Sequence, residues 1–187
     1  MISILHEAPA QEPISVDALR DYLHAQEADE ALLQSLISSA RMTVEARSGL
    51  RLITQSWNLL LNDWEHSDGA LSLPHYPVRS VVAIRIVGEG AAVIESSLYR
   101  LEAGARPALV FAQWRDLPRP RQSHYGIQIE IEAGFGAPDD VPEPLRLAVK
   151  TLAAHWYDMN DWNAHRPENA IPPQVRTLIE PHRLMRI

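Results

Sequence analysis

The chain has 187 residues, 46% of them hydrophobic and 22% charged, which fits one domain or one domain with a sizeable insertion and not a disordered chain. It holds no cysteine, which excludes a disulfide scaffold, a thiolate nucleophile, an iron–sulfur cluster and a Cys-based zinc site. Lys and Arg number 17 against 24 Asp and Glu, and a net charge of -7 disfavours non-specific grip on nucleic-acid phosphates, leaving room only for a local basic patch.

Apolar runs are short, so no membrane-spanning helix and no membrane partner are expected. The first residues lack a basic patch followed by an apolar core, so a soluble protein made in the cytoplasm is expected. Lys150 is the only lysine, and arginine supplies the remaining basic charge. Arginine suits planar, bidentate contacts at interfaces; Arg-favouring codon usage explains the bias equally well.

In chain order, Met1 to Pro13 has no period and reads as a loose N-terminal arm. Ser15 can cap a short helix with Leu19, Tyr22 and Leu23 on one side. Asp29 can cap a longer helix whose apolar positions are Leu32, Leu33, Leu36, Ile37, Ala40 and Val44, and Gly49 is its natural stop.

From Leu52 to Gly136 the period is nearer two. Trp57, Leu59 and Leu61 alternate with Asn58, Leu60 and Asn62, and Val82, Ile84 and Ile86 alternate with Ala83, Arg85 and Val87. Residues 98–101 and 108–112 suit further short strands. Ile127, Ile129 and Ile131 alternate with Gln128, Glu130 and Glu132, the pattern of a strand with one face in a core. A small antiparallel sheet of roughly four to six strands is expected.

Asp139 to Pro144 then opens a helix with the stripe Leu145, Val149, Leu152, Ala153 and Trp156. A polar loop runs from Asp158 to Asn169, and Pro172-Pro173 starts a short helix through Val175, Leu178 and Ile179. The predicted class is α+β: two N-terminal helices and a C-terminal helix form a helical core, followed by a short helix and a tail. One domain spans 1–187, with 52–136 a β-rich insertion between helical segments 14–49 and 140–180.

Few residues suggest catalysis. His155, Asp158 and Asp161 with His165 are close enough in sequence to suggest a metal-dependent hydrolase, but only His155 and Asp158 have spacing that converges on a helix face. The hydrolase elbow, the P-loop and the dinucleotide fingerprint are missing from the sequence. Glu130 and Glu132 share a strand face that should meet water, which suits solvation better than acid–base work. Trp162 in the polar loop is either an interface anchor or a local hydrophobic plug.

Three stretches together resemble the head–tail connector, or adaptor, proteins of tailed bacteriophages and gene transfer agents. Ala46 to Ile53 looks like the end of the family's first core helix leading into its sheet, and Leu73 to Val81 looks like its LPxxPVxSV segment. Ile129 to Gly136 followed by Val141-Pro142-Glu143-Pro144-Leu145-Arg146 looks like its strand, glycine turn and VPxPLR helix start. Residues 103–123 depart from the pattern.

The resemblance implies a structural virion protein and no enzyme, with no cofactor and no metal. It implies a ring, typically a dodecamer, beneath the portal protein in the neck of the virion, made in the bacterial host cytoplasm. Such a ring joins the head to a stopper or tail-completion protein and leaves a channel through which DNA passes without specific binding. A stopper or tail-completion role for this chain itself is the neighbouring alternative. Carried over from the family's C-terminal segment, Val175, Leu178, Ile179, Arg183 and Arg186 are the expected portal contacts.

Overall fold

The computed structural model describes residues 1–64, 69–88, 90–104, 106–121, 124–159 and 171–183. Two compact units emerge: a strand-rich one formed by residues 1–10 and 54–135, and a helical one formed by residues 11–53 and 136–187.

The helical unit begins with α1 (Val16–Leu23) and α2 (Glu30–Ser48). Ser15 caps α1 by accepting a hydrogen bond from the Ala18 amide at 3.1 Å, and Asp29 caps α2 by accepting from the Ala31 amide at 2.8 Å. Gly49 ends α2 with φ of 80°, a left-handed conformation that costs glycine little. Proline stands at the start of both later helices, α3 (Glu143–Asp158) and α4 (Pro173–Ile179), where its missing N–H is not needed. Leu33, Ile37, Ala40 and Val44 of α2 are buried, as are Leu145, Val149, Leu152 and Ala153 of α3, and the two helices pack together. The periodic stripe is narrower than expected, since Leu32 is exposed and Leu36 only half-buried. Tyr22 also points outward, with the Lys150 ammonium 5.5 Å from its ring.

A buried ion cluster fastens the segments that flank α2. Arg41 Nε donates to Glu12 at 2.7 Å and its Nη1 donates to Glu45 at 3.3 Å. The second Glu45 oxygen accepts from the Leu52 amide at 2.9 Å. One guanidinium therefore ties the chain before α1 to the chain after α2.

The strand-rich unit has eight described strands in two antiparallel sheets. β1 (Ile2–Glu7), β2 (Gln55–Leu61), β4 (Val78–Ile86), β5 (Ala92–Val93) and β8 (Ile127–Ala133) form the larger, in the order β1-β2-β8-β4-β5. The smaller holds β3 (Ala70–Ser72), β7 (Ala108–Phe111) and β6 (Tyr99–Glu102), in the order β3-β7-β6. The unit is thus richer in strand than the single small sheet expected. Residues 1–13 are also not a loose arm: residues 2–7 pair with β2 as an edge strand, held further by Ser3 Oγ at 2.5 Å from His75 Nε2. The otherwise unmatched stretch 103–123 supplies β7 and a turn at Trp114–Asp116.

Ile127, Ile129 and Ile131 are fully buried in a core shared by both sheets, with Leu59, Ile84, Leu109 and Phe111. β4 carries register irregularities between Val78 and Ser80 and between Val81 and Ala83; the second turns Val82 outward, 49% exposed, while Ile84 and Ile86 stay inside. Tyr99 rests against Phe111, and burial raises its phenol above the ordinary value.

Candidate functional site

The short helix α4 is positioned by two apolar residues one turn apart. Val175 is fully buried and Ile179 is 5% exposed, and α4 packs on α3. Within this fold both side chains anchor α4 to its own unit. Leu178 is half-buried, and Arg183 stands exposed beyond the turn Glu180–His182. Arg186 and Trp162 lie outside the described residues.

Beside α4 is a cavity of about 240 Å³ lined by Ala46, Arg47, Ile171, Arg176, Ile179, Glu180 and Arg183. Ile171 and Ile179 are buried and form an apolar floor. Arg47, from the last turn of α2, joins Arg176 and Arg183 around it, with Glu180 the one carboxylate. The rim therefore carries two net positive charges on a chain whose overall charge is -7. Sequence reading found Arg183 and Ile179 but not Arg47, which lies more than a hundred residues away; its place in the last turn of a helix was the only local signal.

Of the residues considered for metal chemistry, His155 and Asp158 sit near the C-terminal end of α3, and Asp161 and His165 lie outside the described residues. Among the described residues, no three His, Asp or Glu side chains are placed to hold a metal ion. Glu130 pairs with Arg85 at 2.8 Å, and Glu132 accepts from Ser80 Oγ at 2.8 Å. These contacts satisfy both carboxylates within the sheet face. No described helix is long and apolar enough to cross a membrane.

Comparison with known proteins gives the class. A sequence profile described as head completion protein matches residues 12–185, and the chain belongs to that family, one of head–tail connectors. Among solved structures it is similar to a chain in "Neck of empty GTA particle computed with C6 symmetry", with TM-score 0.82 and 29% identity, covering 100% of this chain and 97% of that one. A chain in "Virion of native gene transfer agent (GTA) particle" gives TM-score 0.84 and 28% identity over 100% and 97% of the two chains. A third, from "Neck of native GTA particle computed with C12 symmetry", gives 0.78 and 29% over 98% and 97%. None of the curated proteins matches.

Proposed function

We propose that this protein is a structural component of the virion neck, an adaptor that forms a ring beneath the portal and joins the DNA-filled head to the stopper or tail. The observation that carries this reading is the end-to-end similarity of the whole chain to neck chains from gene transfer agent particles, two of them in necks computed with C6 and C12 symmetry. The role is mechanical, with no bond made or broken.

Charge suits a conduit. A ring of chains each carrying -7 repels DNA weakly and avoids the counterion-release binding that a basic lumen would produce, so phosphates slide past. The portal is contacted through the C-terminal segment, at the half-buried Leu178 and in the tail that carries Arg186, with Val175 and Ile179 holding the helix behind Leu178.

Quantitative mass spectrometry of purified particles tests the assignment. The expected result is this chain at equal copy number with the portal protein in filled heads. Its absence from particles that contain the portal and tail proteins would contradict the reading.

A further inference from the structure

The arginine-rimmed cavity and the opposite end of α2 have complementary chemistry. Arg47 lies in the last turn of the 19-residue helix and Glu30 in its first, so the two ends are about 28 Å apart at ~1.5 Å per residue. The N-terminal end exposes Asp21, Glu27, Asp29 and Glu30, and beside them the apolar side chains of Tyr22 and Leu32, 48% and 42% exposed. Asp29 is used as the helix cap, and Asp21 accepts a long bond from Gln26. No described residue pairs with Glu27 or Glu30.

The C-terminal end offers the reverse: arginines around an apolar floor. The floor suits an inserted aliphatic side chain, and the rim suits carboxylates beside it. A DNA phosphate would meet Glu180 at the same rim and would leave the floor uncovered.

We infer that the cavity of one copy receives the α1–α2 corner of the next, with Leu32 on the Ile171–Ile179 floor and Glu27 and Glu30 against Arg47 and Arg183. The inference rests on the ring reading given above and names the surface that closes the ring. Ring closure needs a heterologous contact, in which two different patches of one chain meet. A helix that is acidic and apolar at one end, and basic and cupped at the other, supplies both patches.

The chain's lack of cysteine makes the test direct. Particles carrying Glu27→Cys together with Arg183→Cys, mildly oxidised and run on a non-reducing gel, should show a ladder of this chain linked to itself. Either single substitution should give no ladder. In parallel, Arg47→Glu should lower the yield of neck-bearing particles by about tenfold, and adding Glu30→Arg should recover most of it. Circular dichroism of each purified variant separates lost assembly from lost folding, and the cysteine pair leaves two of the four charged partners, Glu30 and Arg47, in place.

Intact neck rings with no ladder would overturn this inference and leave the ring reading standing. Cross-linking of the Arg183→Cys chain to the portal or the tail would overturn it equally. Necks without a ring of this chain would overturn both.

Discussion

Arg41 holds two carboxylates, Glu12 and Glu45, in a site where its own side chain is 8% exposed. Removing one member of a buried ion cluster leaves charge without compensation, which costs more than the intact cluster contributes. Arg41→Ala should therefore destabilise the helical unit by about 3–5 kcal/mol, read as a lower midpoint in urea denaturation. A loss below 1 kcal/mol would mean that water reaches the site. Asp29→Ala removes an exposed cap and should cost only about 1 kcal/mol by the same measurement. The two substitutions delete similar numbers of hydrogen bonds, so burial decides the difference between them.

At the scale of elements, β8 is the central strand of the larger sheet, with β2 and β4 on either side and its three isoleucines fully buried. Ile129→Ala should cost about 2–5 kcal/mol through lost transfer energy and the cavity left behind. Val93→Ala, on edge strand β5 with Val93 69% exposed, should stay within about 0.5 kcal/mol. Thermal melting of both variants checks the contrast. β8 was legible in the sequence because one face is buried along its whole length, which writes a period of two. Ser15, Asp29 and Gly49 were legible because capping is local chemistry. β1 was not: five of its six residues are exposed, so no alternation marks it, and its partners lie some fifty residues onward. The three strands of the smaller sheet are three or four residues long, too short for periodicity to join them into a separate sheet. Helical spacing singled out Val175 and Ile179 as apolar. Spacing alone does not tell a residue that meets its own core from one that meets a partner, and here they meet their own core.

For the whole molecule, the cavity shows what one-dimensional reading misses. Arg47 and Arg183 are joined only by the packing of α4 against the helical unit, so no motif connects them. Deletion of residues 181–187 removes Arg183 from that rim and Arg186 from the tail. The truncated chain should keep its fold, because Val175 and Ile179 still anchor α4, and should lose co-sedimentation with portal-bearing heads. Unchanged co-sedimentation would place the portal contact elsewhere on the chain.

The central claim, that the protein works by assembling into the neck, is tested most directly by cryo-electron microscopy of particles made with and without it. The expected result is a closed ring at the head–tail junction into which this fold docks, and heads lacking attached tails when the chain is missing. Complete, tail-bearing necks in particles without the chain would contradict the account.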